Sequence, residues 1–252
     1  MAITAEENIR YQRQIMIPEI GLEGQERIKN SSVFILGLGG LGSTAAYNLA
    51  AAGVGGLTIV DRDRVELGNL NRQIIHNMDD IGKLKIDSAM EKLRRLNPGC
   101  RIHAVAEEVT EDNVTELVGS CSVIIDGTDN MKARKALNKA SVQKNIPFIL
   151  GGVEGFNGMV TTFVPPETAC FECVFPPVKS REKIPGVIGA LPGMVASIQV
   201  LEVLKFILGM EDLLKNKLLF IQGSDMTVKT VNMEKNLNCK VCNTTSDLVS
   251  KK

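Results

Sequence analysis

From Ser32 onward, short apolar runs alternate with stretches whose apolar positions recur every three or four residues, the order expected of strands followed by helices. Val33 to Leu36 is an apolar β-type run that stops at the glycine turn Gly37-Leu38-Gly39-Gly40-Leu41-Gly42. The small-residue stretch STAAYNLAAAG that follows predicts a helix ending at Gly53. Leu57 to Val60 predicts a second strand, closed by Asp61. Beyond a loop rich in Asn and Arg, Lys83 to Leu96 sets Ile86, Ala89, Met90 and Leu93 on one helical face, and Asn97-Pro98-Gly99 stops that helix. Arg101 to Val109 and Ser122 to Ile125 predict further strands, the second leading through Asp126-Gly127-Thr128-Asp129-Asn130 into a helix that runs through Val142. This alternation predicts right-handed βαβ units and a parallel sheet.

The pattern changes after Pro147. Phe148 to Leu150, Met159 to Val164, Leu218 to Gln222 and Val228 to Met233 predict strands joined mostly by turns, so the second half is expected to be antiparallel. Between them, Gly193 to Leu208 predicts an apolar helix buried in the core or against a partner subunit. There is no internal repeat, and the tail after Cys242 is expected to be disordered.

Composition narrows the function classes. A chain of 252 residues suits one large α/β domain or two small ones. No run approaches the ~20 consecutive apolar residues of a membrane span, and the opening MAITAEENIRYQRQ lacks the order of a secretion signal. A soluble, cytoplasmic protein is expected. Lys plus Arg equals Asp plus Glu at 29 each, and aromatics are 4% with no Trp, which disfavours nucleic acid as a partner. Two of the Cys-x-x-Cys type, Cys170/Cys173 and Cys239/Cys242, account for four of six cysteines. Such pairs can meet as a closed, structural Cys₄ zinc site, the alternative being redox pairs or free thiols. Cys100 and Cys121 adjoin predicted strands and read as buried small apolar residues.

The glycine turn carries the candidate chemistry. Gly37, Gly39, Gly40 and Gly42 lie between a strand and a helix, where backbone N–H groups and the helix dipole can meet a phosphate; a tight turn needing small residues is the other reading. Asp61 ends the next strand, where a carboxylate can bond ribose hydroxyls. The cluster Asp61-Arg62-Asp63, Asn69-Leu70-Asn71-Arg72-Gln73 and Gly82-Lys83-Leu84-Lys85 exceeds what NAD needs and suits a triphosphate, although Arg72, Lys83 and Lys85 taken singly could be surface charges. Asp129, beside Asn130, follows a strand end and can hold the Mg²⁺ that accompanies ATP; Asp126 is open to a role as helix N-cap. His76 and His103 lack a recognisable nucleophile arrangement and read as packed or exposed.

The segments RYQRQ, GLGGLGS, AAGVGGLTIVDRDRVELGNLNRQ, IGKLKIDSA, LNPGC and DGTDN resemble, in order from about Arg10 to Cys242, the HesA/MoeB/ThiF family, relatives of ubiquitin-activating enzymes. The resemblance implies an α/β adenylation domain over residues 1–252, with a Rossmann-like ATP-binding part (about 30–150) continued by an antiparallel, zinc-bearing part (about 151–243) into one mixed sheet. It implies a homodimer in which each subunit uses MgATP to adenylate the C-terminal glycine of a ubiquitin-like β-grasp sulfur carrier ending in Gly-Gly. The product would serve molybdopterin, thiamine or related biosynthesis. Gly40, Asp61, Asn69, Arg72, Lys85 and Asp129 are implied nucleotide-site positions, with Arg13 reaching the phosphates across the dimer interface. Arg13, Arg72, Lys85 and Asp129 would align and stabilise the reacting phosphate.

Many such relatives carry a cysteine shortly before a Gly-Val-Ile-Gly-like stretch; here, in Lys179 to Gly189, Glu182 takes that place. With no appended sulfurtransferase domain expected after the last cysteine pair, sulfur is expected from a separate donor. Three other readings stand beside this one: a tRNA-modifying adenylating enzyme of the same family, an NAD-dependent oxidoreductase, and a zinc-stabilised dimeric scaffold without turnover.

Overall fold

The computed structural model describes residues 2–175 and 186–243. The apolar runs become strands β1 (Ser32–Leu36), β2 (Gly56–Val60), β3 (Arg101–Val105), β4 (Val123–Asp126), β5 (Phe148–Glu154), β6 (Asn157–Phe163), β7 (Lys217–Gln222) and β8 (Thr227–Asn232). They form one eight-stranded sheet in the order β3-β2-β1-β4-β5-β6-β7-β8. The pairings from β3 through β5 are parallel, and those from β5 through β8 are antiparallel. β5 is therefore the hinge of the mixed sheet: it follows β4 in parallel and turns back on itself into β6.

The inner strands read as continuous apolar runs because both faces are covered. Val33, Ile35, Leu57, Ile59, Val123 and Ile125 point to one face. There they meet α4 (Gly40–Ala52), α5 (Lys85–Leu96) and α9 (Ala190–Leu208) through Leu41, Ala45, Leu49, Ile86, Leu93, Val195 and Val203. Phe34, Leu36, Val60, Ile124, Phe148 and Leu150 point to the other, against Val114 and Val118 of α6 (Val114–Val118) and Ala133, Ala136, Leu137 and Ala140 of α7 (Met131–Lys144). Residue i and residue i+1 of each strand thus belong to different cores.

The helix expected after the glycine turn is α4, closed by Gly53 with φ +91°. A Cβ on Gly53 would lie 2.6 Å from the ring of Tyr11, so the residue must be small as well as left-handed. Three helices at the N-terminus, α1 (Ala5–Arg10), α2 (Gln12–Ile15) and α3 (Gly21–Asn30), have no counterpart in the apolar pattern. The first two bury almost nothing; α1 is set by a capping box between Thr4 and Glu7. Their anchors are polar: Asn97 Nδ2 donates to Tyr11 Oη at 2.8 Å, and Gln14 Nε2 donates to Ala52 O at 3.0 Å.

Several boundaries differ from those expected. The strand from Arg101 stops at Val105, because Ala106 to Val109 lie beyond the end of β2, its only neighbour. On α5 the face holds Lys85 and Ser88 as well as Ile86, Ala89 and Leu93, while Met90 is only half-buried. By length and composition α9 could cross a membrane. Instead it lies on the sheet, with Gln199 and Glu202 buried beside Val195, Ala196 and Val203. Glu202 accepts from Thr162 Oγ1 at 2.6 Å and from Leu214 N at 2.7 Å, which ties the helix to the antiparallel half. The C-terminal tail, 244–252, lies outside the described residues.

Candidate functional site

The chain leaves β1 for β2 and β3 on one side and returns to β4 on the other, so the C-terminal ends of β1 and β4 form a topological switch point. Leu36 pairs in register with both Val60 and Asp126, which brings the glycine turn, Asp61 and the Asp126–Asn130 turn to one edge. Gly37 has φ +87°, and a Cβ there would meet Gly127 O at 2.8 Å. A Cβ on Gly42 would lie 1.7 Å from Gly37 O, so the first turn of α4 can press against the strand only without a side chain. Gly39 occupies the N-cap of α4, and Gly40 packs against Pro192 and the Arg72 carbonyl.

Asp61 is buried and accepts from Leu38 N at 2.7 Å and Asp63 N at 2.8 Å. Burial raises its pKa above the ordinary carboxylate value, against the opposing pull of Lys85 and these two N–H donors. Lys85, the first residue of α5, is also buried, and its Nζ donates to Asp63 Oδ2 at 2.9 Å. It is not the surface charge that composition alone would allow. Asn69 ends a 3-10 turn, Leu67–Asn69, and accepts from Glu66 N. The following residues fold back over the glycine turn: Arg72 Nη1 donates to Gly68 O at 2.9 Å and Asn71 Oδ1 at 3.0 Å. Gly189 packs so closely on this segment that a Cβ would lie 2.1 Å from Asn71 O.

Asp126 proves structural, though not as a helix cap. Arg134 Nε donates to Asp126 Oδ2 at 2.7 Å, and Arg134 Nη2 donates to Thr128 O and Gly151 O, both at 2.9 Å. The other carboxylate oxygen accepts from Thr128 N and Oγ1. Burial of Asp126 pushes its pKa up, opposed first by Arg134. Asn130 is the N-cap of α7, its Oδ1 accepting from Lys132 N at 2.8 Å. Asp129 between them is exposed, with no hydrogen bond or ion pair among the described residues. Sequence reasoning missed Arg134: its position in the first turn of α7, eight residues after Asp126, is a faint signal that only the fold makes meaningful.

Arg13 is exposed on α2 and is not brought to this edge. Its neighbours Tyr11 and Gln14 anchor at Asn97, Ala52 and Gly53, the C-terminal end of α4. The glycine turn is at the other end, ~20 Å away for a helix of this length. An arginine side chain does not span that distance.

The four paired cysteines do converge. Their Sγ atoms all lie within 4.8 Å of one another, with Cys170–Cys173 at 3.8 Å, Cys170–Cys239 at 3.7 Å and Cys173–Cys242 at 3.4 Å. A tetrahedron with ~2.3 Å zinc–sulfur arms has edges of ~3.8 Å, so this all-thiol set fits zinc in both size and softness. Burial pushes the Cys170 thiol up to about 11. Asn138 of α7 donates from Nδ2 to Cys170 Sγ at 3.7 Å and accepts from Phe171 N at 3.0 Å. Phe171 opens α8 (Phe171–Val174), which carries Cys173. Cys100 and Cys121 are buried, as expected, with both thiols pushed up by burial, Cys100 to about 11.

Fold and site together define an α/β protein with a glycine turn at the switch point of its sheet and a separate four-thiol centre able to hold zinc. The chain belongs to the ThiF family, whose model matches residues 11–241. It is 40% identical over 247 residues to the SAMP-activating enzyme E1 of Haloferax volcanii, spanning 96% of this chain and 91% of that protein. It is 35% identical to the sulfur carrier protein adenylyltransferase of Thermus thermophilus, over 96% of this chain and 93% of that one. Against the adenylyltransferase and sulfurtransferase MOCS3 of Drosophila sechellia the identity is 38%, and the chain spans 54% of that longer protein. The crystal structure of E. coli MccB with MccA-N7isoASN superposes with a TM-score of 0.85 at 25% identity, covering 93% of this chain and 74% of that one.

Proposed function

We propose that this chain is an adenylyltransferase that activates the C-terminal glycine of a ubiquitin-like sulfur-carrier protein with ATP, in the cytoplasm and for sulfur transfer. The observation that carries the proposal is the convergence of the glycine turn, Asp61, Lys85, the Arg72 segment and Asp129 at one switch-point edge in a member of the ThiF family. The names of the relatives from Haloferax and Thermus support the substrate class. NAD-dependent oxidoreduction has no comparable support.

In this reading Asp61 receives the ribose hydroxyls, its outer lone pairs remaining free beside the two N–H bonds it already accepts. The Gly37–Gly42 turn and the positive end of α4 receive the phosphates, with Asn69 and Asn130 as flanking polar groups. Asp63 holds Lys85 at the site until a phosphate competes for its ammonium. Asp129 is the exposed carboxylate able to bind Mg²⁺, which supplies charge neutralisation at the phosphate oxygens. The carrier carboxylate attacks the α-phosphorus and pyrophosphate leaves; Arg72 and Lys85 stabilise the charge that develops. No enzyme nucleophile is required. An open depression of about 550 Å³, lined by Glu154, Gly155, Phe156, Gly186, Val187 and Ile188 at the end of β5, is where the extended Gly-Gly tail is proposed to lie. Its Ile188 leads directly into Gly189 on the Arg72 segment.

The test is ATP–pyrophosphate exchange with and without a ubiquitin-like carrier ending in Gly-Gly. Exchange should depend on the carrier; NAD reduction without carrier dependence would sink the proposal.

A homodimer is part of the proposal: Arg13, which does not reach the glycine turn of its own chain, would complete the partner's site. Mixing Arg13→Ala with Arg72→Ala subunits should restore about one working site in each mixed dimer. If subunits exchange and no activity returns, Arg13 has no part in the site.

The sulfur donor is proposed to be a separate persulfide-bearing protein that attacks the acyl-adenylate directly. Glu182, which stands where many relatives carry a cysteine, lies outside the described residues. All six thiols are otherwise placed: four in the cysteine cluster and two buried. Intact mass after incubation with carrier and MgATP should show no thiol-sensitive adduct on the enzyme. An adduct on Cys100 or Cys121 would make that cysteine catalytic.

A further inference from the structure

His76 is fully packed between α5 and the glycine turn, and the proposed chemistry makes no direct use of it. Its Nδ1 lies 2.8 Å from Ser88 Oγ and its Nε2 lies 3.3 Å from Leu38 O. Its neighbours decide which nitrogen carries the proton. Lys92 Nζ, an ammonium with no acceptor capacity, donates to Ser88 Oγ at 2.8 Å. Ser88 therefore has its own O–H to give, with both the Asp80 carboxylate and His76 Nδ1 able to take it. Nε2 faces the Leu38 carbonyl, which can only accept, so the ring proton lies on Nε2 and is donated there. Lys92 is in turn held by the buried carboxylate of Asp80, which also takes Lys83 at 3.2 Å and Asn77 N at 2.8 Å. A chain of ordered donors thus runs from a buried ion pair to the backbone of the turn. Burial favours the neutral ring, taking its pKa down to about 4, against the Leu38 hydrogen bond and Asp80, with Lys92 and Lys85 acting in the same direction as burial.

Leu38 is gripped at both ends. Its N–H goes to Asp61 and its C=O to His76. In a planar trans peptide the carbonyl and the next N–H point in opposite directions, so fixing Leu38 O also fixes Gly39 N–H. That N–H has no hydrogen-bond partner among the described residues, and Gly39 is the N-cap of α4, where free donors face an incoming anion.

We infer that His76 is a positioning residue for nucleotide binding: as the neutral Nε2–H tautomer it locks the Leu38–Gly39 peptide so that the Gly39 N–H is presented to a phosphate oxygen of ATP. This inference rests on the nucleotide reading of the site. It assigns a role to a residue type that sequence spacing leaves as packing.

The test uses the full chain with MgATP alone. His76→Leu, which fills the space without a donor, should weaken MgATP binding by about tenfold in titration calorimetry. His76→Gln, whose amide N–H can reach the same carbonyl, should stay within about threefold of wild type. Nitrogen-15 NMR of the nucleotide-free wild type should show Nε2 protonated and Nδ1 bare. Ser88→Ala, which keeps the ring, should give mixed tautomers and intermediate affinity, and so serves if His76→Leu does not fold. A His76→Leu protein that loses thermal stability but binds MgATP like wild type overturns the inference and leaves the nucleotide site standing. So does a wild-type ring protonated at Nδ1. Wild-type protein that binds no MgATP removes the site reading and this inference together.

Discussion

Arg72→Ala should lower carrier-dependent ATP–pyrophosphate exchange by about 100-fold or more, and Asp129→Ala should do the same. Attack on the α-phosphorus concentrates negative charge that a guanidinium and a carboxylate-bound cation would neutralise at the point of transfer. The structure makes the two variants informative because neither side chain holds the fold. Among the described residues Arg72 bonds only to its own loop, at Gly68 and Asn71, and Asp129 is exposed. Removing either should change stability by less than about 1 kcal/mol. Lost turnover with an unchanged thermal midpoint would therefore report chemistry. Lys85→Ala is a poorer probe, since Lys85 is buried against Asp63 and its loss leaves strain in the fold as well. Unchanged exchange in both Arg72→Ala and Asp129→Ala would place the site elsewhere.

How far these features could be read from sequence depends on which interaction made them. The strands were legible because both of their faces are apolar, and α4 because it runs from a glycine turn to a left-handed glycine. The convergence of Cys170, Cys173, Cys239 and Cys242 was legible because thiol pairs have few other uses at that spacing. The N-terminal helices were not, since polar contacts across the chain hold them: Tyr11 to Asn97, Gln14 to Ala52, Lys29 to Glu7. RYQRQ and LNPGC, noticed as separate segments, are two halves of one anchor. At the switch-point edge, the glycine turn, Asp61 and Lys85 were visible in the sequence as residue types, whereas the contacts of Arg134 and His76 are with partners that no local pattern names. The end of the strand at Val105 was set by the length of its neighbour, whose residues from Gly56 to Val60 pair with Arg101 to Val105 only in space and lie far away in the chain.

Cys173→Ser should cost the protein its zinc and a substantial part of its stability. Wild-type protein is expected to carry about one zinc per chain, held by Cys170, Cys173, Cys239 and Cys242. The apolar cluster around these thiols is small, adding only Val142 and Val241 to the cysteines, so little else fixes the segment after β8. The metal would close a 69-residue span, tying Cys239 to Cys170 and Cys242 to Cys173. Cys173 is the choice because it is only half-buried, so exchanging sulfur for oxygen costs little in packing and the measured change reflects the ligand. Zinc affinity is expected to collapse and the thermal midpoint to fall by about 10 °C, a shift that corresponds to ~3 kcal/mol for a chain of this size. Proteolysis should then begin in the stretch beyond β8 while the sheet, whose two cores do not involve the thiol cluster, remains folded. Wild-type protein without metal, with all four thiols freely titratable in the folded state, would reject the centre.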